Sequence, residues 1–257
     1  MVVEPVERVV YYPESDGKPM SESDLHQDET IELKLMLRAH FAPRGDVYVA
    51  SNNFLYYEEG VPRSVISPDV YVVFGIEPHQ RRVFKLWEEG RAPAAVFEVS
   101  SRKTWRQDLG AKQAICARLG VAEYWLYDPE HDYLDPPLQG LALTPAGYEP
   151  IVPDRAGRLV SRALGLTLDL DARGRLRLVD PETGRRLRRI HETQRAADRT
   201  DRAERRAERE TAARKEAEQL AARETAAREK AERELRRLRE ALAKGAGGES
   251  PPPHSDR

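Results

Sequence analysis

The chain has 257 residues, 40% of them apolar and 33% charged, with a formal net charge of -2; a usual charged share is roughly 25%, so some stretch must be very polar. A single cysteine, Cys116, excludes an internal disulfide and a cysteine-based zinc site, and no apolar run approaches the roughly 18 residues needed to cross a bilayer. The opening MVVEPVERVVYYPESDG carries acids and prolines where a secretory leader would be basic and then apolar, so the expectation is a cytoplasmic protein with no membrane partner.

Residues 21–41, SESDLHQDETIELKLMLRAHF, space Leu25, Ile31, Leu35 and Leu37 among charges in a helical manner, and the predicted helix stops before Pro43. Three β-favouring runs follow, DVYVA at 46–50, NFLYYE at 53–58 and DVYVVF at 69–74, separated by Gly and Pro. After a charged connection holding Trp87, AAVFEVSS at 94–101 reads as a strand apolar enough to be buried on both faces. Thr104 is placed to cap a helix running to Leu119, with Leu109, Ile115, Cys116 and Leu119 inward and Gly120 as its stop. EYWLYD at 123–128 is the next strand, closed by Pro129, and residues 141–180 read as short strands with Gly turns. This order predicts an α/β fold, a mixed sheet flanked by helices.

The small net charge hides an asymmetry. Residues 1–184 hold 21 Lys and Arg against 29 Asp and Glu, whereas residues 185–244 hold 20 against 13. From Arg189 to Lys244 there is no Gly or Pro, and Ala, Arg and Glu dominate, which favours helix. ETAAR at 210–214 returns at 224–228, a shift of two heptads. Ala203, Ala217, Ala231 and Leu238 share one heptad position and Ala207, Ala221, Leu235 and Leu242 another, but Glu210, Glu224, Arg214 and Arg228 interrupt both series. A coiled coil wants Leu, Ile or Val there, so a single charged helix and a homodimeric coil both fit. The expected organisation is a folded domain at 1–184, a helical or coiled-coil extension at 185–244, and a disordered tail at 245–257 that includes PPP.

Two carboxylates stand out in the first domain. Asp69 begins a strand directly after Pro68, and Glu98 lies between Phe97 and Val99 in the most apolar strand. An acid there is costly to bury unless a positive group meets it. If the strands are neighbours, both acids can face one pocket, although sequence alone does not set their phase. Two carboxylates with a lysine nearby form a hard-oxygen site suited to Mg²⁺.

The runs SPDVYVVF, FEVSS and DLGAKQAICARLGVAEYWLYDP, with the early SESDLHQDE, resemble the Uma2 family over roughly residues 10–180. Its members look like PD-(D/E)xK nucleases and are described as restriction-endonuclease-like. The resemblance implies that fold, a Mg²⁺- or Mn²⁺-dependent hydrolysis of DNA, Asp69 as the aspartate of PD, and Glu98 as the acid of the next strand. Asp69 and Glu98 would be the metal ligands, joined by the Val99 carbonyl. The usual lysine position holds Ser100; the resemblance moves that role to Lys112 on the following helix, with Lys103 as its rival.

Plainer roles are open for each residue. Asp69 could bind backbone amides, Glu98 could form a structural pair with Lys112, and Lys112 could pair with Asp108 four residues earlier. His26, Asp28 and Glu29 read as a surface helix face, the alternative being an approach to the metal pocket. Trp105, Tyr124 and Trp125 read as packing. His26 and His131 lack zinc-site spacing, and no Gly-rich phosphate loop supports nucleotide hydrolysis. An acidic body opposes DNA binding, so Arg81, Arg82 and Lys85, or Arg102, Lys103 and Arg106, are the candidate phosphate contacts. A second reading is an inactive nuclease fold whose helical tail dimerises or recruits a partner, and a third has the tail itself grip nucleic acid.

Overall fold

The computed structural model describes residues 10–15, 17 and 23–245, with backbone alone for His191, Arg195 and residues 242–245. Most of the expected disordered tail, 246–257, lies outside the described residues, as do residues 1–9 of the opening and the Leu242 side chain of the heptad series. In chain order the elements are α1 (Asp24–Phe41), β1 (Val47–Ala50), β2 (Leu55–Tyr56), β3 (Val65–Ile66), β4 (Val70–Phe74), β5 (Phe84–Lys85) and α2 (Leu86–Glu89). Then come β6 (Ala95–Val99), α3 (Trp105–Gln107), a π-helical turn (Asp108–Lys112), α4 (Gln113–Arg118) and β7 (Glu123–Tyr127). The remainder is β8 (Leu138–Thr144), β9 (Gly147–Pro150), β10 (Leu159–Ser161), β11 (Leu166–Leu170), β12 (Leu176–Val179) and α5 (Ile190–Gly245).

Six strands form the main sheet in the order β1-β4-β6-β7-β8-β9. All its neighbours run antiparallel except β6 and β7. A parallel pair needs a crossover, and the α3–α4 stretch supplies it. Side chains alternate across the sheet. Val70, Val72, Phe97 and Trp125 enter a core with α1 and the β10–β12 sheet, whereas Tyr71, Val73, Val96 and Tyr124 enter a second core with Cys116 and residues of β2, β3 and β5. Because both faces are covered, these strands read as continuous apolar runs. Trp125 lies opposite Gly140 on β8, and a Cβ at 140 would overlap the indole, so glycine is required for that contact.

The sheet and the helical crossover agree with the sequence-based expectation, but several faces do not. On α1, Leu25, Ile31 and Leu35 are exposed, while Leu33, Met36, Leu37 and Phe41 enter the core. The same helix buries His26, Glu29, Thr30 and Glu32, because distant polar groups meet them. Leu109 is also exposed, whereas Cys116 is buried and Ile115 and Leu119 are partly so. A π turn changes which residues of a helix share a face, and the predicted inner stripe did not include that shift. Thr104 does not cap α3 through its side chain; its hydroxyl accepts from the Ser101 N–H instead. The 53–58 run pairs only at Leu55–Tyr56.

The first compact unit extends through Thr193 and the second begins at Gln194. The second consists, among the described residues, of α5 from Gln194 onward. At a rise of about 1.5 Å per residue, α5 is about 84 Å long. From Asp198 to Ala241 every residue is exposed. Arg206–Glu210, Arg214–Glu218 and Arg228–Glu232 pair four residues apart along it at 2.8, 2.9 and 3.1 Å. No described helix is long and apolar enough to cross a membrane.

Candidate active site

The phase that sequence leaves open is settled by register. Val70 pairs with Phe97 across β4 and β6, so one step further Asp69 stands opposite Glu98. Directly opposed residues of an antiparallel pair share a face. The two acids are joined reciprocally: the Val99 N–H donates to Asp69 Oδ2 at 2.7 Å, and the Asp69 N–H donates to Glu98 Oε2 at 3.4 Å. Two like charges opposed in this way destabilise a sheet unless something compensates.

Compensation comes from two helices. The α1 N-terminus is capped by Ser23, whose hydroxyl accepts from the His26 N–H, and His26 Nε2 lies 3.2 Å from Asp69 Oδ2. From the other side, Lys112 Nζ donates to Glu98 Oε2 at 2.8 Å and lies 3.1 Å from Asp108 Oδ1. Asp108 and Lys112 bound the π turn, whose Asp108 carbonyl accepts from the Tyr124 hydroxyl at 2.9 Å. That bond ties the turn to β7 and holds both charged residues over the sheet.

Burial is uneven. Glu98 and Asp108 are fully buried and His26 nearly so, while 18% of the Lys112 side chain reaches solvent. Lys112 therefore marks the open side. Burial pushes the Glu98 carboxyl well above the ordinary glutamate range; Lys112 opposes this, and Asp69 and Asp108 add to it. Burial likewise raises the Asp108 carboxyl. For Lys112, burial favours the neutral amine, but Glu98, Asp108 and Asp69 outweigh it and hold the ammonium form.

The donor set fits a hard divalent cation. Glu98 Oε1 is buried with no hydrogen-bond partner among the described residues, so the carboxylate keeps an open lone-pair site. No group of three or more His, Cys, Asp and Glu side chains among the described residues is drawn together as a metal cluster. Mg²⁺ does not need one: it commonly binds through one or two carboxylates, retaining water and substrate phosphate.

Asp69, Glu98 and Lys112, singled out from the sequence, thus come together. Lys103 is on the exposed turn before α3. His26 is buried against Asp69, which corrects the surface-face reading of that residue; Asp28 is exposed, and Glu29 pairs with Arg189 instead. Tyr124 and Trp125 are core residues, and Trp105 is half-buried with the Arg106 guanidinium 4.5 Å from its ring centroid. Asp108 is the site member that sequence reasoning undervalued, treating it as a helix partner of Lys112 alone; the i,i+4 spacing was the available signal. Of the two basic patches, the first is neutralised: Arg81 pairs with Glu89, Arg82 with Glu14 and Lys85 with Glu88. Arg102, Lys103 and Arg106 are exposed within six residues of Asp108.

A family model, Uma2, described as "Putative restriction endonuclease", matches residues 7–173. The chain belongs to the Uma2 family. The match spans both acid-bearing strands, the π turn and α4. Among solved structures, the chain is similar to a crystal structure described as a "putative nuclease belonging to DUF820" from Anabaena variabilis, at 16% identity and a TM-score of 0.38, covering 54% of this chain and 76% of that one. A search of curated proteins finds no match.

Proposed function

We propose that this Uma2-family chain is a divalent-metal-dependent endonuclease that hydrolyses phosphodiester bonds of DNA. The observation that carries this reading is the opposed pair Asp69 and Glu98 on one sheet face, with the Lys112 ammonium 2.8 Å from Glu98 Oε2 and Glu98 Oε1 unpartnered. Asp69 and Glu98 would hold Mg²⁺ or Mn²⁺, with the Val99 carbonyl as a further ligand. Such an ion, when bound, supplies the positive charge that polarises the phosphate and makes water a better nucleophile.

The remaining roles belong to the chain. His26 orients the Asp69 carboxylate through Nε2, as outer-shell partners do around metal ligands. Lys112, held charged by its carboxylate neighbours, turns its ammonium to the negative charge that builds on the attacked phosphate. Asp108 anchors Lys112 from the same helical stretch. Arg102, Lys103 and Arg106 form the nearby basic rim for the nucleic-acid backbone. A buried, lone Cys116 accords with a reducing cytoplasm.

The test is incubation of plasmid and single-stranded DNA with Mg²⁺ or Mn²⁺, beside Asp69→Ala and Glu98→Ala variants. Cutting by the parent alone supports the reading. Equal cutting by all three means contamination, and no cutting by a metal-binding parent overturns it in favour of a second reading, an inactive nuclease fold used as a scaffold. The exposed α5 helix, with Leu220, Leu235 and Leu238 facing solvent, favours that second reading. Its homodimer is tested by sedimentation of the chain with and without α5, an unchanged monomer removing it.

A further inference from the structure

Outside the carboxylate site, the strongest unassigned feature is a cavity of ≈ 360 Å³ between the C-terminal half of α1 and the segment after β12. Arg185, Arg186 and Arg188 line it, with His40 and Thr183 beside them. The supporting backbone is well fixed. The Asp180 N–H donates to the Arg185 carbonyl at 2.9 Å, the Leu187 N–H donates to the Leu178 carbonyl at 2.8 Å, and Val179 bridges Arg186. Leu187 packs against the core, and Arg189 is buried against Glu29 one residue beyond Arg188. The three guanidinium groups thus stand on an anchored edge segment.

Several arginines elsewhere in this acidic body are matched. Arg81 faces Glu89, Arg158 faces Asp154, Arg177 faces Asp171 and Arg189 faces Glu29, all within 2.8 Å. Among the described residues, Arg185, Arg186 and Arg188 have no ion-pair partner. The one carboxylate lining the cavity, Asp180, already accepts from the Glu182 and Thr183 N–H groups at 2.9 and 3.3 Å. Three unmatched guanidinium groups around one cavity repel each other and create a positive potential that an anion relieves. Their planar donor forks suit phosphate oxygens.

We propose that this arginine cavity is a second phosphate-binding site that holds the nucleic-acid backbone away from the scissile bond; it rests on the reading of the chain as a DNA-cutting enzyme. Helix α1 sets the spacing. His26 touches Asp69 and His40 lines the cavity, and fourteen residues of helix separate them by about 21 Å. At a rise of about 3.4 Å per base pair, that corresponds to about six base pairs of duplex beyond the cleavage point.

The test uses the full chain in EDTA, so that cutting is suppressed, and a fluorescein-labelled DNA duplex long enough to reach both sites. Affinity is measured by anisotropy across a salt series for the parent, for the triple variant Arg185→Gln/Arg186→Gln/Arg188→Gln, and for the matching triple Arg→Lys variant. The glutamine variant is expected to flatten the slope of log affinity against log salt by about 2.7, or about 0.9 for each lost phosphate contact, and the lysine variant to restore it. A duplex cut short of the cavity should bind the parent as weakly as the full duplex binds the glutamine variant. An unchanged slope in a folded glutamine variant overturns the proposal. Plasmid cutting with Mn²⁺ is followed in parallel: cutting with an unchanged slope sinks the cavity alone, while a flattened slope without cutting upholds the cavity and sinks the nuclease reading.

Discussion

Two buried charge clusters occupy the same body, and they are built to opposite specifications. Around Arg189, charge is balanced, although its Nε, 3.9 Å from Glu32 Oε2, makes no hydrogen bond among the described residues. Its guanidinium meets Glu29 through two bonds of 2.7 and 3.0 Å, the Tyr127 hydroxyl sits 3.5 Å from the same carboxylate, and the Ile190 N–H is taken by Glu32 at 2.7 Å. Around Glu98, two carboxylates share Lys112, a third, Asp69, faces His26, and Glu98 Oε1 is left bare. The first cluster joins α1 to the start of α5, where cooperative folding rewards opposite charges that balance. The second crowds three carboxyl groups around one partly exposed lysine, which lowers stability and suits capture of a cation. Buried charge alone does not mark a site; an excess of carboxyl groups over cations does.

The largest effects should separate these clusters by what they damage. Glu98→Gln should lower metal-dependent cutting by more than the about 10–100-fold typical of losing an outer-shell partner, while the urea midpoint stays near that of the parent. A matched loss of cutting and folding would erase the contrast. Arg189→Met should do the reverse, leaving Glu29 as an uncompensated buried charge and costing about 3–5 kcal/mol in urea unfolding. Cutting per folded molecule should be retained.

A pH series sharpens the comparison further. The Glu98 carboxyl is raised above its ordinary value of 4.5, mainly by burial. Between 4.5 and that raised value the folded chain keeps a proton that the unfolded chain has released. Stability of the metal-free protein should therefore fall as pH rises through this window. Glu98→Gln should flatten the fall, and Mg²⁺ should counter it by favouring the ionised form. Urea midpoints in EDTA and in Mg²⁺, taken stepwise upward from the ordinary glutamate value, provide the measurement; a slope identical in parent and variant removes Glu98 as its cause.

The smallest effect belongs to α5. Arg214 and Glu218 are as close, at 2.9 Å, as Lys112 and Glu98 are at 2.8 Å, but both are largely exposed. Water and salt screen such pairs, so Glu218→Gln should change stability by less than about 0.5 kcal/mol in thermal melts. A larger loss would mean that α5 is covered in solution.

Chemistry that depends on neighbours in sequence was legible without coordinates. The apolar strand interrupted by Glu98, the Asp69 that follows Pro68, the Asp108–Lys112 spacing and the glycine-free charged helix are all local patterns, and local propensity and periodicity suffice for them. The face of α1 was not legible, because His26, Glu29 and Glu32 are buried only by virtue of Asp69, Arg189 and the backbone of Ile190, at separations of 43, 160 and 158 residues. The outward turn of Leu109 depended on the π turn, and the convergence of Arg185, Arg186 and Arg188 with His40 depended on an edge segment lying beside α1. Sequence by itself determined which residues could carry charge chemistry and which segments would form strands and helices. Only tertiary structure decided which charges meet, because cross-strand register and the docking of distant segments set desolvation and pairing, and those two quantities turn a carboxylate into either a structural tie or a reactive group.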